Sequence, residues 1–149
     1  MNRDFVEMLS ALIERKAEFL VVGAHALAAH GIPRATGDLD IWVRASDANA
    51  RRVISALEDF GAPLLDLTAE DFTQAGQVFQ IGVAPSRIDL LSSISGVRFE
   101  DAWENRLTIR VEGLSVPVLG KKEFIANKRA VGRPRDLSDL QLLAEAEEE

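Results

Sequence analysis

The sequence predicts an α/β (α+β) fold in which helices flank a small mixed β-sheet. Short apolar runs that are typical of strands are interleaved with longer segments in which apolar residues recur with helical spacing. Glycine and proline residues separate these segments, as they do at the ends of helices and strands. Some apolar runs are joined by short turns and others by helices, and the expected sheet is therefore mixed.

The N-terminal half of the chain predicts three helices and two strands. Apolar residues at positions i, i+3, i+4, i+7 and i+8 from Phe5 form the stripe of a helix that packs on a core. Ser46 is suited to cap a later helix, and Gly61 is suited to end it. The elements predicted after the first helix are a strand at Phe19–Val22, a short helix at 24–30 ended by Gly31-Ile32-Pro33, a strand at Leu39–Val43 and a helix from Ser46 to about Phe60.

The C-terminal half predicts two strand pairs and four helices. Thr68 and Asp71 have the spacing of a capped helical turn. Turns at Ala84-Pro85-Ser86 and at Glu112-Gly113 would each join two strands. The predicted elements are a short helix after Thr68, strands at 78–83 and 87–91, a helix at 99–105, strands at Leu107–Val111 and Leu114–Val118, and helices that begin near Lys121 and Asp136.

Length and composition predict one globular domain over residues 1–149. The chain has 149 residues, of which 47% are apolar, and it contains no cysteine, so disulfides and thiolate metal sites are excluded. No apolar run approaches the ~20 residues that span a bilayer, and the N-terminus lacks a signal-peptide pattern. A cytoplasmic protein that does not enter membranes is expected.

The formal net charge of −7 argues against a broadly basic nucleic-acid-binding surface, but it conceals an asymmetry near the C-terminus. Residues 121–135 contain six basic residues and only one acidic residue, Glu123. Residues 136–149 contain six acidic residues and no basic one. A local positive patch is therefore expected before the acidic end of the chain.

Three aspartates predict a divalent-metal site. Asp38 and Asp40 are spaced i, i+2 in an apolar strand pattern, so alternation places both carboxylates on one face while the residues between them face the core. Two like charges held together in this way need a cation. Asp89 lies in a second apolar run and, on a neighbouring strand, would complete a cage for two cations that is suited to phosphoryl transfer.

A phosphate cradle is predicted upstream of the aspartates. The strand at Phe19–Val22 runs into Gly23-Ala24 and then into a helix rich in small residues. Free backbone N–H groups and the helix dipole at such a turn can hold a triphosphate, although Gly23 could also serve only to make the turn tight.

With these motifs, the chain resembles the nucleotidyltransferases of the polymerase-beta-like superfamily. Thirteen residues separate Gly23-Ala24 from Asp38, and this spacing is similar to that of the AbiEii-like type of small prokaryotic nucleotidyltransferase. The resemblance covers residues 19–143 approximately. The residues that carry it are Gly23-Ala24, Arg34, Thr36, Asp38, Asp40, Asp89, Asn127-Lys128-Arg129-Ala130, Arg133, Arg135-Asp136 and Asp139.

The resemblance implies a nucleotidyltransferase-like fold and assigns roles to the matching residues. Asp38, Asp40 and Asp89 would be the catalytic residues and would bind two Mg²⁺ ions, with Mn²⁺ as a possible substitute. Six of the other matching positions would bind the nucleotide, although Ala24 stands where relatives often have serine or glycine and provides no hydroxyl. These nucleotide-binding positions are Gly23, Ala24, Arg34, Thr36, Lys128 and Arg133.

Other polar and aromatic residues have simpler interpretations. His25 and His30 are expected to pack or to form hydrogen bonds rather than to bind a hard cation such as magnesium. Trp42 is expected to pack, and Asp136 and Asp139 are expected to orient the basic groups near them or to cap the last helix. An arginine such as Arg34 could equally pair with a nearby acid.

The predicted function is magnesium-dependent transfer of an NMP from an NTP to an acceptor hydroxyl. The resemblance suggests RNA, with tRNA in particular, or a partner protein as acceptor, in a two-gene toxin–antitoxin or phage-defence system, and an antibiotic is another possible acceptor. A homodimer could help to build the acceptor site. The competing hypothesis is a non-catalytic nucleotidyltransferase-like module that binds a partner protein.

Overall fold

One mixed β-sheet runs through the computed structural model, which describes residues 1–32, 37–83 and 86–148. Within these residues the sheet has six strands. They are β1 (Phe19–Val22), β2 (Leu39–Val43), β3 (Val78–Ile81), β4 (Ile88–Leu91), β5 (Leu107–Val111) and β6 (Leu114–Val118).

The strand order across the sheet is β3-β4-β2-β1-β6-β5. The pairs β3/β4, β2/β1 and β6/β5 are antiparallel, whereas β4/β2 and β1/β6 are parallel. Two hairpins therefore flank a central pair, and the predicted mixed sheet with flanking helices is confirmed. Because β2 lies between β1 and β4, residues from three separate segments of the chain are neighbours there.

Six helices accompany the sheet in the described part of the chain, together with one 3₁₀ helix at Ala69–Thr73. Helix α1 packs against α3, and α5 packs against α6. The helices are α1 (Arg3–Glu14), α2 (Gly23–Ala29), α3 (Asp47–Phe60), α4 (Phe99–Glu104), α5 (Lys121–Val131) and α6 (Pro134–Glu148).

Most of the apolar side chains that the sequence pattern assigns to the core are buried. The stripe on α1 is inaccessible to solvent at Met8, Leu9 and Leu12. In β2 the apolar residues at alternate positions are also fully buried, as expected for the face opposite the aspartates. Together with all of β1, these side chains belong to one hydrophobic cluster.

Local capping explains most of the element boundaries. The Ser46 side chain accepts a hydrogen bond from the backbone N–H of Asn49, and Gly61 ends α3 in the left-handed conformation. Asn49 is itself buried, and its amide binds the backbone N–H and C=O of Glu18 and the C=O of Arg44. These bonds tie the start of β1 to the end of β2.

Several boundaries differ from the sequence prediction by one or two residues. Helix α6 begins at Pro134 rather than near Asp136, because the fixed φ of proline suits the first helical position. Strand β3 ends at Ile81, since Gly82 has a φ of +77° and leaves the extended conformation. Helix α2 begins at Gly23, one residue early. The predicted turn at Ala84-Pro85 lies outside the described residues.

None of the helices in the described segments combines the length and the apolar character that crossing a lipid bilayer requires.

Candidate active site

The strand register brings two of the predicted aspartates side by side. Asp40 on β2 is directly opposite Asp89 on the parallel strand β4, although 49 positions separate them in the sequence. Asp38 lies just before β2 and two residues from Asp40, so it belongs to the same face. The three carboxylates therefore lie together on one face of the sheet, where the inner strands β2 and β4 meet.

The glycine turn is adjacent to this carboxylate cluster. Val22 at the end of β1 is paired with Asp40, and the next residue, Gly23, begins α2 with a φ of +68°. A Cβ atom built on Gly23 would overlap Oδ2 of Asp40. No side chain in the described segments caps the start of α2. Glycine thus permits a carboxylate to approach the backbone of the turn closely.

Replacement of Gly23 by alanine should displace Asp40 and weaken any metal or nucleotide binding at the cluster. Gly61→Ala is a matched control, because Gly61 also has a positive φ but a Cβ atom built on it would have open space within 4 Å among the described residues. Both changes carry a backbone cost of about 1 kcal/mol, so thermal unfolding should show a larger loss for Gly23→Ala. Equal losses would mean that the close approach of Asp40 has no energetic consequence.

Arg87 lies among the carboxylates and bridges two of them. Its Nη2 is 3.3 Å from Oδ2 of Asp38, and its Nε is 3.1 Å from Oδ1 of Asp89. The backbone N–H of Arg87 also donates to Oδ1 of Asp38 at 3.2 Å. Arg87 is not among the site residues predicted from the sequence. The available signal was its position, because Arg87 and Asp89 are spaced i, i+2 and so lie on one face of β4.

Burial and mutual repulsion disfavour full ionisation of the cluster. Burial, followed by the charges of Asp89 and Asp38, raises the pKa of Asp40 to about 6, although the positive charges of Arg87 and Lys128 oppose this shift. Burial also raises the pKa of Asp89, and Arg87 again opposes the shift. The aspartates are therefore held in an environment that favours the binding of further positive charge.

Lys128 is the predicted nucleotide-binding residue of α5 that acts on this cluster. Its charge lowers the pKa of Asp40, and its side chain is only 13% exposed. Nζ is 3.2 Å from Oδ1 of Asp136 and 3.7 Å from Oδ2 of Asp139. The two aspartates thus orient Lys128, as expected from the sequence.

Arg133 is more exposed and also binds Asp136. Its Nε donates to Oδ2 of Asp136 at 2.8 Å, while 65% of its side chain is accessible to solvent. The backbone N–H of Arg133 donates to the same carboxylate, which therefore also caps the start of α6. The predicted contact of Arg133 with a nucleotide stays a prediction. Arg34 and Thr36 lie outside the described residues.

The histidines and Trp42 have the structural roles expected of them. His25 packs edge-on against Phe5 at 5.7 Å between ring centroids, and burial lowers its pKa, so the ring is held neutral. Nε2 of His30 forms a hydrogen bond with the C=O of Leu119 at 2.8 Å. Trp42 is buried and packs edge-to-face against Phe99.

The donor chemistry of the cluster fits a hard divalent cation. Three carboxylates offer only oxygen atoms, and among the described residues the buried Oδ1 of Asp89 has no hydrogen bond of good geometry. In the described segments, no three acidic or histidine side chains are arranged as a ready metal site. The Arg87 guanidinium, itself a cation, lies between Asp38 and Asp89.

The comparisons with known proteins concern the fold. No protein-family model matches the sequence, and no curated protein matches it. A solved structure from Thermotoga maritima, named as a "putative nucleotidyltransferase", is similar over 98% of this chain and 96% of its own, with a TM-score of 0.61 and 14% identity. This chain has a nucleotidyltransferase fold. At 14% identity the likeness concerns the fold, and the activity has to be argued from the site.

Proposed function

We propose that this protein is a magnesium-dependent nucleotidyltransferase of the AbiEii-like type that moves an NMP from an NTP to an acceptor hydroxyl. The observation that carries the proposal is the meeting of Asp38, Asp40 and Asp89 on adjacent strands beside the glycine turn. The nucleotidyltransferase fold supports it, since function can be argued once the fold and the site chemistry agree.

Asp38, Asp40 and Asp89 would hold the metal, with two Mg²⁺ ions as the expected complement and Mn²⁺ as a substitute. When bound, such ions neutralise charge on the phosphates and lower the pKa of an acceptor hydroxyl. Gly23 and Ala24 offer backbone N–H groups to the phosphates, and Lys128 provides positive charge near the leaving pyrophosphate.

The transfer forms a bond between the acceptor oxygen and the α-phosphorus and breaks the bond from the α-phosphorus to the bridging oxygen of the β-phosphate. Pyrophosphate leaves with that oxygen. The acceptor proton goes to Asp89, whose pKa is raised by burial and which can therefore hold a proton more readily than an exposed aspartate. Little covalent chemistry is needed from the side chains, which mainly position charge.

The acceptor is proposed to be RNA, tRNA in particular, or a partner protein, in a toxin–antitoxin or phage-defence setting inside the cytoplasm. The six basic residues of the segment 121–135 would attract a nucleic acid or an acidic protein surface electrostatically. Arg129 and Lys122 are exposed on α5 beside Ile125. A homodimer could supply further acceptor contacts.

Transfer is tested by incubating the protein with α-labelled ribonucleotides, magnesium, and RNA and protein fractions of a cell extract. The wild type should label one fraction, and Asp89→Asn should reduce labelling by about a hundredfold or more. Asp59→Asn is the matched control, because Asp59 is a surface aspartate in the last turn of α3 that is paired with Arg15. Labelling that survives in Asp89→Asn would contradict the assignment.

A non-catalytic binding module is the alternative, and two observations favour it. Ala24 has no hydroxyl for the phosphates, and a guanidinium already binds two of the carboxylates. This alternative predicts a stable protein complex that Asp89→Asn leaves unchanged, together with no labelling by the wild type. Labelling that depends on Asp89 would exclude it.

A further inference from the structure

We propose that Arg87 is a built-in counter-ion that occupies the cation position of the carboxylate cluster in the metal-free protein and that a divalent cation displaces it. The inference rests on the proposed function, because it assumes that the cluster binds a metal. It adds a residue that sets the metal affinity and keeps the site folded when no metal is present.

The contacts of Arg87 are those of a cation within a cage rather than of a surface ion pair. Its guanidinium reaches Asp38 with Nη2 and Asp89 with Nε, so it joins the carboxylates of two adjacent strands. The side chain of Asp89 is only 11% exposed, so this contact lies in the low-dielectric part of the site. Buried carboxylates need such a partner or a proton.

Lys128 also acts on the cluster, but it does not lie between the carboxylates of Asp38 and Asp89 as Arg87 does. Its Nζ is bound to Asp136 and lies near Asp139, on the side of α5 and α6. It influences Asp40 through space rather than through a described contact. Arg87 is therefore the cation that contacts both Asp38 and Asp89 in the part of the chain that the structure describes.

A metal ion and the guanidinium compete for the same oxygen atoms. A divalent ion binds carboxylate oxygens at about 2.0–2.6 Å, which leaves no room for a guanidinium between the same two groups. The Arg87 side chain can move from the cluster into solvent, since 35% of it is already exposed. Its backbone N–H can keep its bond to Asp38 while the side chain moves, so β4 need not shift.

The experiment measures binding of Mn²⁺ alone to the full chain by electron paramagnetic resonance of the free ion. Arg87→Gln removes the competitor and should bind Mn²⁺ about tenfold more tightly than the wild type. Arg15→Gln is the control, because Arg15 also makes two contacts with carboxylate oxygens, but both are to Asp59 on the surface. Its affinity for Mn²⁺ should equal that of the wild type.

Thermal unfolding in chelator provides a second readout without activity. Arg87→Gln should unfold at a lower temperature than the wild type when metal is absent, and Mn²⁺ should raise its unfolding temperature more than that of the wild type. If Arg87→Gln does not fold, Arg87→Lys tests the inference instead. Lysine keeps the charge but cannot bridge two carboxylates, so the Arg87→Lys variant should bind Mn²⁺ more tightly than the wild type does.

Equal or weaker Mn²⁺ binding by Arg87→Gln or, if that variant is unfolded, by Arg87→Lys would overturn the inference while leaving the proposed function intact. Failure of the proposed function gives a different result. In that case the wild type would show no label transfer, whatever the Mn²⁺ affinities of the variants. Absence of Mn²⁺ binding in the wild type and in the folded Arg87 variants would overturn the inference together with the metal role of the aspartates.

Discussion

Asp40→Asn should abolish nucleotide transfer and at the same time stabilise the metal-free protein. Asp40 lies beside Asp89 and next to the Gly23 turn, so it is placed to bind metal close to the phosphates. The same position buries its charge among like charges, and its pKa is raised to about 6. Asparagine removes the charge and one metal ligand while it preserves the shape of the side chain.

The stability change has a defined dependence on pH. A raised folded pKa means that the folded protein binds the proton of Asp40 more tightly than the unfolded chain does, so wild-type stability falls as the pH rises from about 4 to about 6. Above that range the full cost of the buried charge is present. Asp40→Asn should therefore be more stable by about 1–2 kcal/mol at pH 8 in chelator, with allowance for solvent screening, and nearly unchanged at pH 4.

Urea unfolding at the two pH values in chelator and label transfer at pH 8 with magnesium check both halves of this prediction. Transfer should fall by about a thousandfold or more, because a metal ligand that acts on the transition state is lost. Asp59→Asn should change transfer little, since Asp59 forms a surface pair with Arg15. A variant at Asp40 that is both active and less stable would contradict the described site.

Asp136→Ala should be strongly destabilising and should also impair transfer. The Asp136 side chain is fully buried and binds Lys128 and both the backbone and the guanidinium of Arg133. Arg133, whose hydrogen bond is the largest influence, and then Lys128 hold the pKa of Asp136 well below its usual range. Without the Asp136 carboxylate, Asp139 is the carboxylate that remains near Lys128 among the described residues. The start of α6 also loses its cap.

The expected loss is about 2–3 kcal/mol near neutral pH, measured by urea unfolding, because one partner of a buried ion network is removed. A depressed folded pKa contributes stability that is present above about pH 4 and is lost as the pH falls below it. The difference in the free energy of unfolding between the wild type and Asp136→Ala should therefore become smaller below about pH 4. Asp71→Ala is a suitable control, because the Asp71 carboxylate caps an exposed turn, where it accepts hydrogen bonds from the backbone N–H and the hydroxyl of Thr68. A loss no larger than that of the control would contradict the proposed role of Asp136.

The aspartates could be predicted from the sequence because their signal is local. Alternation along β2 fixes Asp38 and Asp40 to one face whatever the rest of the chain does. The ends of elements with a clear cap or turn, such as Ser46 and the Glu112-Gly113 hairpin, could be predicted for the same reason. In that hairpin both residues have a positive φ, as in the type I′ turn that is common between two strands.

The sheet order and the contact of Arg87 with Asp38 could not be predicted, because both depend on pairing between distant segments. Nothing in the apolar runs of β2 and β4 indicates that the two strands are neighbours. A shift of one residue in their register would separate Asp89 from Asp40. Arg87 becomes a partner of Asp38 only through that register. The role of Lys128 likewise depends on where α5 lies against the sheet.

The most direct test of nucleotidyl transfer compares the fate of two labels in one nucleotide. With wild-type protein, magnesium and the acceptor fraction, we expect an α-phosphate label to enter the acceptor and a γ-phosphate label to leave as pyrophosphate. Both processes should stop in Asp38→Asn. Entry of the γ label into the acceptor would contradict nucleotidyl transfer in favour of phosphoryl transfer, and absence of both labels from every acceptor tested would contradict it in favour of a binding module.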